Sequence, residues 1–352
     1  MAGATVAEQN AYAWAGVDIE SANRTKRRIG DLVKDTFGPE VLTNVGGFGG
    51  LFAAPWGDYQ DPVLVASTDG VGTKLKIAFI TGVHDTVGAD LVSHCANDIL
   101  VQGARPLFFL DYLAMGEHEG DVAEAVIAGV ANGCKSCGCA LLGGEMAEMP
   151  GFYAPGEYDL AGTIVGMVDR EKIVTGDRVR PGQVLIGIAS DGLHTNGYSL
   201  ARKLLFETAS YTTDSHLDEL GATVGKALLA PHRSYVAPVL DLLEDVEVTG
   251  MAHITGGGLI DNVPRSLPEE VSVNIRRDSW EVPPLFQLLQ NIGEIPESEM
   301  FQDFNMGIGF ALFVPRDQAD GAVGRLIASG EDARVLGEAI PRAGDSQVHF
   351  ED

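Results

Sequence analysis

The chain has 352 residues, 45% of them hydrophobic and 7% aromatic, a globular composition in a chain too long for one ordinary core. Fifty acidic residues against 24 basic ones leave a formal net charge of −26, which opposes nonspecific binding to nucleic acid or to an anionic membrane. No apolar run reaches the ~20 residues of a transmembrane helix, and residues 1–10 lack a basic-plus-apolar signal pattern, so a cytoplasmic protein with no nucleic-acid or membrane partner is expected. A phosphorylated ligand must then be met by locally placed Lys, Arg, backbone N–H groups or Mg²⁺. The four cysteines, Cys95, Cys134, Cys137 and Cys139, are too few and too clustered for a disulfide framework. Cys134 and Cys137 have redox-motif spacing but no second pair to complete a zinc site, and are read as structural.

In chain order, Ile29, Leu32, Val33 and Phe37 share one face and predict a helix over about residues 21–37, stopped by Gly38-Pro39. Gly46, Gly47, Phe48, Gly49 and Gly50 form a glycine-rich loop that fits neither the dinucleotide fingerprint nor the P-loop. Two apolar runs, 62–66 and 75–80, read as strands on either side of Ser67-Thr68-Asp69-Gly70-Val71-Gly72-Thr73-Lys74. Glycine there lets N–H groups close on an anion, while Asp69 offers a metal ligand and Lys74 a counter-charge for phosphate. An isolated Asp-Gly would otherwise be only a hairpin turn.

Residues 85–103 read as a helix whose Leu91, Cys95 and Ile99 face the core. Asp90, His94, Asn97 and Asp98 line an adjacent stripe, either a solvated face or a chemical one. Asp111 interrupts the apolar run 107–115, and a charge in such a strand needs a partner, a bound cation or Arg105. A helix over 121–138, a short strand 140–142, a loop 143–151 carrying Glu145 and Glu148, and a strand 160–168 follow. The linker 169–182 marks a boundary, dividing the chain into domains 1–172 and 173–352. Beyond it, a buried strand 184–189 runs into a polar turn holding His194 and Asn196 and then a helix over 199–206. That is the place where α/β proteins bind ligands. His253-Ile254-Thr255-Gly256-Gly257-Gly258 repeats the pattern, with glycines at a helix start. The remainder alternates strands and helices, so the fold class is α+β, mixed α/β, in two domains.

Five blocks, STDGVGTK, HCANDILVQGARPLFFLDY, LLGGEMAEMPGFY, SDGLHTNGYS and AHITGGG, resemble in order and spacing the phosphoribosylformylglycinamidine cyclo-ligases, the aminoimidazole ribonucleotide synthetases of purine biosynthesis. The resemblance extends from about Tyr12 to the C-terminus. It implies a homodimer in which the N-terminal sheet joins its partner's, with ATP bound near that junction. The implied reaction is ATP-dependent closure of formylglycinamidine ribonucleotide, a small nucleotide, to aminoimidazole ribonucleotide with ADP and phosphate released. Residue by residue, it implies Asp69, Asp98 and Asp111 as the Mg²⁺ ligands and Lys74 as the phosphate counter-charge. Gly46 to Gly50, Thr68, Gly70, Gly72 and Thr73 would contact ATP. His194, Asn196, Glu145, Thr255, Gly256 and Gly257 would face the substrate, with His194 and His253 as candidate proton carriers.

Relatives with the same ATP fold compete with this reading. Selenophosphate enzymes carry a cysteine or selenocysteine near the glycine loop, whereas the first cysteine here is Cys95. Hydrogenase-maturation relatives end in a reactive cysteine, and this chain ends Val348-His349-Phe350-Glu351-Asp352. The amidine-forming synthetase is much longer. A noncatalytic nucleotide-binding scaffold is opposed by the three aspartates and Lys74.

Overall fold

The computed structural model describes residues 19–44 and 49–351; Gly46, Gly47 and Phe48 lie outside the described residues, as does the segment before Ile19. The first half is a four-stranded sheet covered on one face. Helix α1 (Ile19–Lys34) is followed by strand β1 (Pro62–Gly70), helices α2 (Leu75–Thr81) and α3 (Asp85–Leu100), strand β2 (Arg105–Met115), helix α4 (Gly120–Cys137) and strands β3 (Ala140–Glu148) and β4 (Tyr158–Asp169). The strand order is β1-β4-β2-β3, antiparallel except for the parallel pair β2/β3. Leu160 and Ile164 of β4 and Phe109 and Leu113 of β2 alternate toward α3 and α4 and are fully buried. The two helices touch backbone to backbone, because a Cβ at Gly88 would overlap the Val126 carbonyl and one at Gly129 would overlap the Asp85 carbonyl.

Residues 75–80 are helical, not a strand. A short apolar run does not by itself distinguish the two. Here Gly72 turns the chain at φ +69°, a 3₁₀ turn over Gly72–Lys74 feeds α2, and Leu75 and Ala78 bury one side of it. The expected loop after Leu142 is also partly strand, since β3 extends to Glu148 by pairing with β2.

The second half carries strand β5 (Val184–Ala189), helix α5 (Tyr198–Arg202) with a π-helical extension to Thr208, the short hairpin β6 (His216–Leu217) and β7 (Ala222–Thr223), helices α6 (Val224–Leu228) and α7 (Val236–Leu242), and strand β8 (Gly250–His253). Helix α8 (Gly258–Asn262), strand β9 (Val271–Arg276), helices α9 (Pro284–Gly293) and α10 (Glu297–Asp303), strand β10 (Ile308–Val314), helix α11 (Ala319–Ala328) and strands β11 (Ala333–Pro341) and β12 (Val348–Glu351) complete it. Its six-stranded sheet has the order β12-β9-β11-β5-β10-β8.

The two halves share a core. One buried cluster runs from Leu91 and Val130 on α3 and α4, through Val239 and Leu242 of α7, to Ile186, Phe310 and Leu312 on one face of the larger sheet. Leu185, Phe313, Phe286 and Phe304 pack on its other face. The outer face of the smaller sheet stays open, with Leu64, Leu110 and Tyr112 at 55%, 38% and 42% exposure.

Candidate active site

The polar stripe of α3 is a docking edge for the second half. Asp90 is fully buried; its Oδ2 meets Lys74 Nζ at 2.7 Å and its Oδ1 accepts the His232 N–H at 2.6 Å. Lys74 Nζ also donates to the Ala230 carbonyl at 2.7 Å. Two turns along α3, Asn97 donates to the Arg233 carbonyl and accepts the Tyr235 N–H. Three side chains thus satisfy four backbone groups of residues 230–235, which would otherwise be buried without partners. Burial lowers Lys74 and raises Asp90, and their mutual contact opposes both shifts. Lys74 is therefore not the phosphate counter-charge that the sequence suggested. It is sealed beneath the site and committed to Asp90.

Above this clasp, four histidines from distant segments meet. His94 Nε2 lies 2.8 Å from Asp69 Oδ2, and His94 Nδ1 2.7 Å from Thr195 Oγ1. Thr195 Oγ1 is 3.3 Å from His232 Nδ1, His232 Nε2 is 3.0 Å from His253 Nε2, and His253 Nδ1 is 2.8 Å from Asp98 Oδ1. The result is one hydrogen-bonded chain joining Asp69 to Asp98. His94 and His253 hold the two carboxylates below the usual range: for Asp69 the His94 hydrogen bond leads, and for Asp98 burial pulls upward but the His253 bond and charge outweigh it. Burial lowers both His232 and His253, favouring their neutral forms, while the Asp98 bond opposes the shift at His253.

Donor accounting then fixes the protons. An ionised Asp98 only accepts, so His253 carries its proton on Nδ1 and accepts at Nε2 from His232. Neutral His232 must accept at Nδ1 from the Thr195 hydroxyl, which in turn accepts from His94 Nδ1. With Asp69 also acceptor-only, this run of bonds calls for a donor on both nitrogens of His94. Its pKa agrees: burial alone would lower it, but the Asp69 hydrogen bond and charge hold it above the ordinary value. His194 lies behind this chain, stacked on His232 at 4.0 Å, 1% exposed and held neutral by burial. Its Nε2 accepts the Asp191 N–H, so it supports the site rather than facing a ligand.

Asp69 and Asp98 keep 41% and 32% of their side chains exposed. A cavity of about 490 Å³ opens beside Asp98, lined by Ser67, His253, Thr255, Asn262 and Arg265. Asn262 donates to the carbonyls of Thr255, Gly256 and Gly258 and so holds this loop, with Gly257 at φ +94°. Asn196 abuts it: a Cβ on Gly256 would lie 3.3 Å from Asn196 Oδ1. The expected residues Asn196, His253, Thr255, Gly256 and Gly257 are thus brought together with Asp69 and Asp98.

Others are not. Asp111 lies across the sheet from Asp69, both opposite Gly162, about 10 Å away by two strand spacings. Its carboxyl packs on Gly144, far from Arg105 in the strand, and burial pushes it up to about 7. Thr68, bonded to Thr163, points to the open outer face, and Glu145 pairs in register with Tyr112 on that same face. Gly49 and Gly50 are exposed, Gly70 N donates to Asp69 Oδ1, and Thr73 Oγ1 reaches Ser199 Oγ at 3.2 Å. Thr195, His232 and Asn262 escaped the sequence reading. His232 stands in no glycine-rich or repeated pattern, and only its spatial neighbours mark it. The cysteines are buried, with the Cys137 thiol pushed up to about 12, and none lines the cavity.

Among the described residues, His94, Asp98 and His253 bring potential metal-ligand atoms within 4.8 Å of one another. The imidazole nitrogens are all engaged in the hydrogen-bonded chain. What remains open to a ligand is carboxylate oxygen.

Two histidine-held carboxylates, Asp69 and Asp98, thus stand where the two halves meet, with Asp98 at the edge of the cavity. The description AIR synthase related protein fits the chain twice, its N-terminal domain over residues 57–168 and its C-terminal domain over 180–349. Solved structures share the fold: a thiamine-monophosphate kinase from Stenotrophomonas maltophilia (TM-score 0.67, 18% identity, 92% of this chain and 95% of that one) and hydrogenase maturation protein HypE in complex with ATP (TM-score 0.63, 18% identity, 92% and 90%). Much nearer in sequence is the phosphoribosylformylglycinamidine cyclo-ligase of Syntrophotalea carbinolica, 54% identical over 336 residues, 96% of each chain. The chain belongs to the phosphoribosylformylglycinamidine cyclo-ligase family, and it is an enzyme, a ligase of purine biosynthesis.

Proposed function

We propose that the chain closes formylglycinamidine ribonucleotide to 5-aminoimidazole ribonucleotide at the expense of ATP, in the cleft between its two sheets. The pair of histidine-backed carboxylates, Asp69 and Asp98, carries this reading. An amide oxygen is a poor leaving group, so ATP first phosphorylates the formamide oxygen. The neighbouring amidine nitrogen then attacks the same carbon, expelling phosphate and closing the ring. Both reacting groups belong to one molecule, so the protein must hold a near-attack geometry and exclude water rather than supply a nucleophile.

Asp69 and Asp98 suit Mg²⁺, a hard cation that takes one or two protein carboxylates and completes its shell with water and phosphate oxygens. Bound there, Mg²⁺ supplies charge neutralisation for the ATP phosphates. His94 and His253 fix the rotamers of the two carboxylates and keep them ionised. Thr255 and Gly256 with Asn196 orient the substrate from the second half, and the mostly buried surroundings of Asp98 keep water low where the phosphoryl group moves. The outer face of the small sheet, with Leu64, Leu110 and Tyr112 uncovered, supports a homodimer in which the two sheets face each other.

The test is incubation with Mg·ATP and formylglycinamidine ribonucleotide, following aminoimidazole product together with ADP. Asp69→Asn keeps the shape but removes the charge, and turnover is expected to fall about a hundredfold or more with little change in melting. Near-normal turnover in that variant would remove Asp69 from the site.

A further inference from the structure

With Lys74 buried against Asp90, the cleft needs another fixed cation to receive a phosphorylated ligand in a chain of net charge −26. Arg265 is the one Lys or Arg side chain lining the 490 Å³ cavity, which it shares with Ser67, Asp98, His253 and Thr255. It stands on the 3₁₀ turn Val263–Ser266, directly after α8. Val263 is fully buried and Ser266 Oγ donates back to the Val263 carbonyl at 2.9 Å, so the backbone under the arginine is rigid. The side chain itself is exposed and has no hydrogen-bond or ion-pair partner among the described residues. Unlike Arg28, Arg170, Arg233 and Arg325, which are engaged with carboxylates, it is free to meet a ligand in the cavity.

We infer that Arg265 receives the phosphomonoester of the nucleotide substrate and thereby sets which end of that substrate points at Asp69 and Asp98. The inference rests on the ring-closure reading above. Guanidinium is the side chain best matched to a phosphate dianion, because its planar fork donates two parallel hydrogen bonds. The cavity volume falls within the few hundred to about 1,000 Å³ typical of small-ligand sites. Asp98 and Arg265 both line the cavity. A substrate with its phosphate on the arginine shares the cavity with Asp98, to which its reacting end can then be presented. Arg265 thus acts as a specificity residue, selecting the nucleotide over the corresponding nucleoside.

The test compares wild type, Arg265→Gln and Arg265→Lys in steady state, varying formylglycinamidine ribonucleotide at saturating ATP and then ATP at saturating substrate. Arg265→Gln is expected to raise the substrate KM about thirtyfold or more, as loss of a charge-assisted bidentate contact does, with the ATP KM within about twofold. Arg265→Lys should recover part of the loss, and melting should not move. A substrate KM unchanged within about twofold, or a rise in the ATP KM instead, overturns the assignment. Ribose 5-phosphate binding, measured by calorimetry without ATP, separates this inference from the reaction it rests on. Binding to wild type that is lost in Arg265→Gln upholds the phosphate site even if ring closure is not observed. Equal binding to both overturns it even if ring closure is.

Discussion

Lys74 shows how a side chain that its sequence neighbours suggest is exposed can be buried by the fold. Its place beside Asp69 and two glycines suggests a phosphate contact, yet the 3₁₀ turn Gly72–Lys74 that leads into α2 turns the lysine inward to Asp90 and the Ala230 carbonyl. Breaking a buried ion pair from one side leaves the other charge uncompensated, which costs about 3–5 kcal/mol. Lys74→Met is therefore expected to lose about that much stability, and adding Asp90→Asn should recover much of it, both measured by denaturant unfolding. Normal stability in Lys74→Met together with a raised ATP KM would return the lysine to phosphate binding. The histidines make the same point. His253 was legible as a loop residue, but its partner Asp98 lies 155 positions away, and His232 was silent because nothing near it in sequence reports its neighbours.

Among the elements, glycine shows where the backbone needs room. In α1, a Cβ at Gly30 would meet nothing within 4 Å, whereas at Gly88 in α3 it would strike the backbone of α4 at Val126 and Val130. Both are helical glycines, and helix propensity alone favours alanine at either by roughly 1 kcal/mol. Gly30→Ala should stabilise by about 0.5–1 kcal/mol, while Gly88→Ala must separate α3 from α4 and should destabilise by about 1–3 kcal/mol. Thermal melts of the two variants, moving in opposite directions, check this. Since α3 also carries Asp90, His94, Asn97 and Asp98, its seating on α4 sets the height of the whole site.

For the molecule as a whole, among the described residues the outer face of the small sheet is left without cover. Leu64 and Ala66 of β1, Val165 of β4 and Leu110 and Tyr112 of β2 lie on one side of a four-stranded sheet whose other side is fully packed. Leu110→Lys places a charge in the middle of that face and is expected to weaken self-association at least about tenfold without altering the fold, as read by sedimentation. A wild-type chain that stays monomeric at micromolar concentration would instead remove the dimer. The hydrophobic cluster running from α3 through α7 into the larger sheet ties the two halves into one packed unit, so the linker at 169–182 divides the topology but not the core.

The sequence by itself determined the mixed α/β class and the family, and it marked Asp69, Asp98 and the glycine loop at 255–258 as candidate site residues. Each of these is encoded in a few consecutive residues: a strand ending in Asp-Gly, a helix stripe, glycines where φ must be positive. Only the tertiary structure decided which polar groups face ligand and which face protein. The buried lysine, the separation of Asp111 from Asp69 across two strands, and the chain His94–Thr195–His232–His253 all depend on segments that meet only after folding. Residue type and local pattern specify what a side chain can do. Burial and the identity of its distant neighbours decide whether it is charged, where its proton sits, and what it is free to touch.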